Sequence, residues 1–113
     1  MMRQINWSSS TEPFIGHAIL AKPISFFEEK RGITFTDAND GLDYYRGALF
    51  LKDGLTPVAL KQYRGANQEW TTIYLSPDCQ DLNYITGMIA SVVADLELDS
   101  TDIVWQRKDN PEA

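Results

Sequence analysis

The chain has 113 residues, which is enough for one domain with its own apolar core. A composition of 43% hydrophobic and 23% charged residues excludes the disordered class. The net charge of −6 argues against binding to nucleic acid or to an anionic membrane. The single cysteine excludes an intramolecular disulfide and a cysteine-rich zinc site, so the expected compartment is a reducing cytoplasm.

Residues 1–13 are mostly polar and predict an N-terminal arm, which Trp7 could anchor on the domain through its large apolar ring. This segment lacks the apolar core of a secretory signal. The longest apolar run in the chain is far shorter than the roughly 20 residues needed to cross a bilayer, so no membrane contact is expected. Residues 14–107 are predicted to form a single domain, and residues 108–113 a frayed polar tail.

The first part of the predicted domain contains short elements. Residues 14–21 are apolar but too few for periodicity to distinguish helix from strand. Residues 23–31 predict a short helix, because a proline opens it, bases close it and Gly32 can end it in the left-handed conformation. Residues 33–36 alternate as a brief strand, and residues 37–41 predict a polar loop.

Three longer strands are predicted at residues 44–52, 58–64 and 70–75, and the short turns between them indicate an antiparallel meander. A helix is predicted from residue 78 to about residue 96, since apolar residues recur there at steps of three and four. Residues 102–107 predict a strand that returns to the sheet, parallel to one of the meander strands. The predicted fold class is α+β, with an antiparallel meander of three to five strands, one long C-terminal helix packed on one face and a short N-terminal helix.

Alternation along the strands assigns the two faces of the predicted sheet. The face toward the long helix would carry Leu49, Leu51, Val58, Leu60, Ile73 and Leu75. The opposite face would be aromatic and cationic, with Tyr44, Arg46, Phe50, Lys61, Tyr63, Trp70 and Tyr74. Two explanations stay open for that face. The N-terminal helix and Trp7 could cover it, or it could bind another chain, because Tyr, Trp and Arg dominate interface energies. Stacking on single-stranded nucleic acid would also use such rings, but the net charge opposes it.

Six acids and no Lys or Arg lie between residues 78 and 102. Four of them, Asp95, Glu97, Asp99 and Asp102, surround the predicted end of the long helix, where acids oppose the helix macrodipole. Such a group could present a negative field to a basic site on a partner protein, although an ordinary solvated face is the simpler interpretation.

Candidates for catalysis and metal binding are weak. The acids of residues 37–43 do not follow the calcium-loop spacing, because Gly41 falls at the fifth position and Ala48 at the twelfth. His17 lies in an apolar run, where a hydrogen-bonded core histidine is the simpler interpretation. Cys79 follows Asp78, whose charge opposes activation of the thiol. The sequence therefore predicts neither an enzyme nor a cofactor or metal site.

The predicted function is that of a protein-binding or regulatory module, such as an inhibitor, an immunity- or antitoxin-like partner, or a subunit. Its partner would be another protein or a second copy in a homodimer. The predicted contact residues are Tyr44, Arg46, Tyr63, Trp70, Tyr74, Asp95, Glu97, Asp99 and Asp102. The alternative is a small-molecule or ion-binding domain with a pocket between the sheet and the N-terminal segment, lined by His17, Tyr44, Tyr63, Trp70 and Tyr74.

Overall fold

The structure is a computed structural model that describes residues 2–108. Within this range seven strands form one antiparallel sheet, accompanied by two α-helices. The strands are β1 (Met2–Ile5), β2 (Ile15–Leu20), β3 (Thr36–Asn39), β4 (Tyr44–Lys52), β5 (Thr56–Tyr63), β6 (Thr71–Leu75) and β7 (Ile103–Gln106). The helices are α1 (Ile24–Arg31) and α2 (Leu82–Asp95). Neighbouring strands follow the order β1-β4-β5-β6-β2-β7, and β3 pairs with β4 on the edge that it shares with β1.

The α+β class and the β4-β5-β6 meander are confirmed, but the predicted strand count was too low. Residues 14–21, which periodicity left open, contain strand β2. The strand predicted at 33–36 lies at Thr36–Asn39 instead, because this segment forms a hairpin with β4. The Asp40 carboxylate closes that hairpin by accepting hydrogen bonds from the amides of Leu42 and Asp43. Ile33 and Phe35 contribute to the core from outside the sheet.

Strand β7 is antiparallel to β2, so the predicted parallel pairing with a meander strand was wrong. The reason is that β2 lies beside β6 and offers its second edge to the returning chain. The β2–β7 pairing contains a bulge: Ile19 is opposite Trp105 and Leu20 is opposite Ile103, which leaves Val104 without a counterpart.

Helix α2 is shorter than predicted at its N-terminus because Asp81 is its cap. The Asp81 carboxylate accepts hydrogen bonds from the amides of Asn83 (2.9 Å) and Tyr84 (3.1 Å), which a helix start leaves without backbone partners. The C-terminus of α2 is capped by a hydrogen bond from the amide of Leu98, beyond the helix, to the carbonyl of Val93 in its last turn (3.0 Å). Gly32 ends α1 with a φ of +66°, as predicted.

The predicted N-terminal arm is part of the sheet, since residues 2–5 form β1 along one end of β4. The side chain of Gln4 also exchanges two hydrogen bonds with the backbone of Thr34. Within the predicted C-terminal tail, Lys108 is exposed, and residues 109–113 lie outside the described part of the chain.

The core lies between the sheet and both helices, and one strand of the sheet faces the opposite way from the prediction. Phe50 is directly opposite Val58 and lies in the core, whereas Leu49 is opposite Ala59 on the other face. The cause is that β4 is buried on both faces, so its sequence does not alternate. Helix α1 adds Ile24 and Phe27 to the same core, so it lies on the α2 side of the sheet. Neither helix between residues 2 and 108 combines the length and apolarity needed to span a bilayer.

Candidate functional site

On the face of the sheet opposite the helices, aromatic rings surround the buried side chain of Lys61. This residue is 1% exposed, and its Nζ donates a 2.7 Å hydrogen bond to the carbonyl of Thr11. The ring centroids of Tyr45 and Tyr74 each lie 4.8 Å from Nζ, and a Trp7 ring lies 5.9 Å away. Cations are attracted to ring faces at these distances. We call Lys61, Trp7, Tyr45 and Tyr74 the Lys61 cluster.

Trp7 reaches the cluster because β4 has a glycine beneath it. Gly47 is directly opposite Lys61 in the β4–β5 pairing, and a Cβ at position 47 would lie 2.6 Å from Cζ3 of Trp7. Tryptophan therefore packs against bare backbone at this point. One explanation for the predicted aromatic face was that Trp7 and the N-terminal helix cover it. Trp7 does lie on this face, but α1 does not take part.

Tyr63 extends this packing toward the β3–β4 turn. Its ring centroid lies 5.0 Å from that of Tyr45 and 6.5 Å from that of Tyr74. Its hydroxyl donates a 3.1 Å hydrogen bond to Asp40, and burial together with this bond raises the pKa of Tyr63. Tyr63 and Tyr74, two of the residues predicted to line a ligand pocket, instead pack against neighbouring side chains of this cluster.

Burial sets the direction of the remaining pKa shifts in the cluster. It lowers the pKa of Lys61, because the charged ammonium loses its hydration, and the distant charges of Glu12 and Asp40 only partly oppose this. Burial raises the pKa of Tyr45 and of Tyr74 for the same reason. The hydroxyls of Tyr45 and Tyr74 therefore stay uncharged, and burial of the charged Lys61 ammonium costs free energy.

A groove of about 400 Å³ lies on the same face of the sheet as the two helices, at the end of the sheet that extends past them. It is lined by Asp37, Ala38, Tyr44, Tyr45, Arg46, Gln62, Arg64 and Gln68. Tyr44 is 55% exposed, and Leu42 in the adjoining turn is 97% exposed. The amide of Arg64 donates a 2.9 Å hydrogen bond to the carbonyl of Tyr44, which holds the two sides of the groove together. We call it the Tyr44–Arg64 groove.

Two guanidinium groups give this groove its charge. Arg46 forms ion pairs with Glu28 on α1 (3.1 Å) and with Asp37 (3.3 Å). The Arg64 guanidinium carbon lies 5.0 Å from the centroid of the Tyr44 ring, and among residues 2–108 it forms no ion pair. The groove therefore presents one cation stacked on an exposed ring and a second cation held only by solvated acids.

The structure divides the predicted aromatic contact residues between two places. Tyr44 and Arg46 line the Tyr44–Arg64 groove, whereas Tyr63 and Tyr74 lie on the other face around Lys61. Trp70 is partly exposed just before β6, and its carbonyl accepts a hydrogen bond from Gln62 (3.1 Å). Gln62, Arg64 and Gln68 also line this groove, and the sequence pattern did not predict them as contact residues. The pairing of Arg46 with Gln62 would have identified their side of the sheet.

The four predicted acids each have an intramolecular contact. Asp95 pairs with the buried Lys52 at 2.5 Å, and Glu97 lies 3.9 Å from Arg31. Asp99 and Asp102 cap the turn before β7, and Asp102 also lies 3.8 Å from Lys22. Hydrogen bonds from Thr101 are the main cause of the lowered pKa of Asp99. The acids are thus partly compensated within the chain, which weakens the argument that they form a free negative field.

His17 and Cys79 lie in surroundings that disfavour their charged forms. His17 is fully buried at the β2 bulge, and neither ring nitrogen has a hydrogen-bond partner among the described residues. Burial and then the charge of Arg107 lower the pKa of His17. Burial and then Asp78 raise the pKa of the Cys79 thiol, which disfavours the reactive thiolate. In residues 2–108, no three His, Cys, Asp or Glu side chains converge as a metal site would require.

A second groove, of about 420 Å³, lies between the sheet and the N-terminal segment. This is the position of the predicted ligand pocket, but the lining differs. The residues around it are Gln4, Ile5, Asn6, Trp7, Thr34, Thr36, Gly47, Ala48 and Leu49. It coincides with the gap between β1 and β3 along the β4 edge, where Ala48 has no partner in either strand.

Comparisons with protein-family models, with curated proteins and with solved structures found no match to this chain.

Proposed function

We propose that this chain is a protein-binding module that recognises an extended, acidic segment of another protein in the Tyr44–Arg64 groove. The observation that carries the proposal is the stacked Tyr44–Arg64 pair, whose ring and cation are both accessible at the open end of the sheet. We further propose that the module acts by binding rather than by catalysis, in a reducing cytoplasm.

The residue types of the groove support an interface. Tyr and Arg are enriched among the residues that dominate binding energy, because Tyr buries a large rigid ring and the planar guanidinium of Arg forms several directed hydrogen bonds. The exposed Leu42 adds an apolar contact beside them. The amides of Gln62 and Gln68 are already engaged with backbone carbonyls, so the walls of the groove are preorganised.

The charges of the groove favour an acidic partner. The exposed Arg64 guanidinium lies over the Tyr44 ring, and its N–H groups can donate hydrogen bonds to a carboxylate. Arg46 is held by Glu28 and Asp37, and exposed ion pairs of this kind contribute little stability, so a carboxylate from a partner can replace them. The net charge of −6 repels an acidic chain at long range. Contact within the groove must therefore supply the affinity.

The test is a pull-down from native lysate, read by mass spectrometry, with a Tyr44→Ala/Arg64→Ala variant beside the wild type. The matched control is Arg3→Ala/Tyr84→Ala, which removes the same residue types from exposed positions elsewhere. We expect partners that the groove variant loses and the control retains. A partner set that is identical for all three proteins would refute the proposal.

A small-molecule site is the second candidate, and the 420 Å³ groove beside Trp7 favours it, since ligand pockets have about this volume. Trp7 supplies an apolar wall, and Thr34 and Thr36 supply polar groups. Ligand screening by tryptophan fluorescence tests it. A hit must lose affinity in Thr36→Val, and hits that bind this variant unchanged would exclude the site.

A further inference from the structure

Strand β7 is a sheet edge that carries apolar side chains. Among residues 2–108, no strand pairs with its outer side. Val104 is 45% exposed and Trp105 is 43% exposed. Unpaired apolar edges are templates for another strand, and proteins usually protect them with charged or polar residues. The opposite edge, formed by β1 and β3, is protected in this way, since β1 carries Arg3 and Gln4 and β3 carries Asp37 and Asn39.

The backbone pairing shows which groups of β7 remain available. The amide of Arg107 donates a hydrogen bond to the carbonyl of His17 (2.8 Å), so the backbone N–H and C=O of Arg107 point toward β2. The backbone groups of Trp105, two residues earlier in the strand, point toward β2 as well. Backbone groups alternate along a strand, so those of Gln106 face outward, and the bulge leaves Val104 without a counterpart on β2.

The charges along this segment have opposite signs at its two ends. Asp99 and Asp102 precede β7, whereas Arg107 and Lys108 follow it. Two copies aligned in parallel would bring like charges together. An antiparallel alignment instead brings the acids of one copy beside the bases of the other, in addition to the contacts that Asp99 and Asp102 make within their own chain, so the segment is complementary to itself.

We propose that β7 pairs antiparallel with β7 of a second copy of this chain, about a two-fold axis through Trp105. Opposed residues in an antiparallel pair must both face the partner or both face away, so a symmetric pair must centre on one residue. Centring on Trp105 places the two indoles opposite each other in a non-hydrogen-bonded pair, where side chains approach most closely. Val104 then exchanges backbone hydrogen bonds with the partner copy's Gln106, and Asp102 faces the partner copy's Lys108.

A shallow trough beside the strand supports this mode of association. It has a volume of about 280 Å³ and is lined by Thr86, Ala90, Val93, Ala94, Leu98, Asp99, Ser100, Ile103 and Gln106. The trough lies between α2 and β7, on the α2 side of the sheet. The two-fold axis brings the troughs of both copies to the same side of the joined sheet, where they extend the contact beyond the strands.

The experiment is sedimentation equilibrium of the full chain together with a cross-linking test of the register. We expect a reversible dimer in the wild type. Gln106→Pro removes an outward-facing amide while sparing the bonds to β2, and it should raise the dimer dissociation constant at least about tenfold. Trp105→Lys should do the same by opposing two like charges. Leu55→Lys, which changes an equally apolar exposed residue in a distant turn, should leave the dimer unchanged.

Disulfide formation identifies the register without relying on stability. In a Cys79→Ser background, Trp105→Cys should oxidise to a covalent dimer, because residues opposed in a non-hydrogen-bonded pair have the Cα separation that a disulfide needs. Val104→Cys should not, since its counterpart is Gln106 of the partner copy. A monomer at all concentrations would overturn the proposal. A dimer indifferent to Gln106→Pro and without the cross-link at position 105 would also overturn it, and would assign the association to another surface.

Discussion

The Nζ of Lys61 donates a 2.7 Å hydrogen bond to the backbone carbonyl of Thr11, and this contact joins the N-terminal segment to the middle of the sheet. The same carbonyl accepts a bond from the amide of Phe14 (3.0 Å), so it keeps a partner when the lysine is changed. Aromatic rings surround the ammonium, and it forms no ion pair with a carboxylate among the described residues. A buried cation is therefore held by one carbonyl and by ring faces.

Lys61→Met should remain within about 2 kcal/mol of the wild type at neutral pH, because it keeps the methylene packing and removes the cost of burying a charge. Lys61→Ala should lose about 3 kcal/mol, since it leaves a cavity between the rings. Urea unfolding measures both variants. An equal loss in the two would show that the charge, rather than the packing, stabilises the fold.

The pH dependence of stability gives a second measurement on Lys61. Its pKa is lowered in the folded state, so just below the ordinary value of 10.5 the unfolded chain binds more protons, and stability rises with pH. Tyr45 and Tyr74 have raised pKa values, so stability falls as pH rises above their ordinary value of 10.0. The difference between the wild type and Lys61→Met isolates the first effect. If the difference in unfolding free energy between the two proteins did not change with pH below 10, the lowered pKa of Lys61 would be contradicted.

Gly47→Ala should destabilise the protein by about 2 kcal/mol, because the added Cβ displaces the Trp7 ring. Gly65→Ala is the control, since its nearest non-bonded atom is 3.8 Å away and ordinary contact results. Combining Gly47→Ala with Trp7→Ala should cost less than the sum of the single changes, because both remove one contact. Additive losses in thermal unfolding would show that Trp7 does not pack on Gly47.

Asp95→Asn should lower the free energy of unfolding by about 1–2 kcal/mol, because it leaves the ammonium of Lys52 buried without its carboxylate. The hydrogen bond to Asp95 raises the pKa of Lys52, so this stabilisation is complete below pH 10.5 and disappears as the pH exceeds the raised value. Asp37→Asn breaks an ion pair in solvent and should change stability by no more than about 0.5 kcal/mol. Equal effects would mean that burial of Lys52 has no energetic weight.

Glu97→Gly should stabilise the protein by about 1 kcal/mol. Glu97 follows the α2 C-cap with a φ of +58°, a conformation that costs free energy for every residue except glycine. Its 3.9 Å contact with Arg31 is largely solvated and contributes little. The same change at Glu29, inside α1, should instead destabilise by about 1 kcal/mol. Chemical unfolding of the two variants must give opposite signs.

Cys79 should react with iodoacetamide more slowly than free cysteine at pH 8, because its raised pKa reduces the thiolate fraction. Asp78→Asn should increase the rate by removing the nearby negative charge. Asp37→Asn, at the far hairpin, serves as the control. A rate equal to that of free cysteine would show that neither burial nor Asp78 acts on the thiol.

The sequence predicted elements wherever local chemistry decides the structure. The apolar spacing of α2 and the glycine stop after α1 depend on neighbouring residues, and both were predicted. The strands that were not predicted correctly are those stabilised by partners distant in the sequence. Strand β1 contains Arg3 and Gln4 and belongs to the sheet only because β4 offers an edge.

The predicted site placed residues of both faces on a single face of the sheet for a related reason. Strand β4 is buried on both faces, so hydrophobicity could not show that Tyr44 and Arg46 point away from Tyr63. A shift of one residue exchanges the two faces completely. The burial of Lys61 depends on Gly47 and Trp7, which are 14 and 54 residues away along the chain. No local pattern around a lysine in a strand signals such surroundings.

The position of β2 between β6 and β7 sets the order in which the chain can assemble. Both neighbours of β2 are more than 50 residues downstream, and the partner of β1 is almost as distant. The β4–β5 and β5–β6 hairpins need only short loop closures, so they can form first. The first third of the chain then docks on a preformed platform. Folding should therefore be slow for a domain of this size, with mutations in the hairpins slowing it and mutations in β1 or β2 mainly accelerating unfolding.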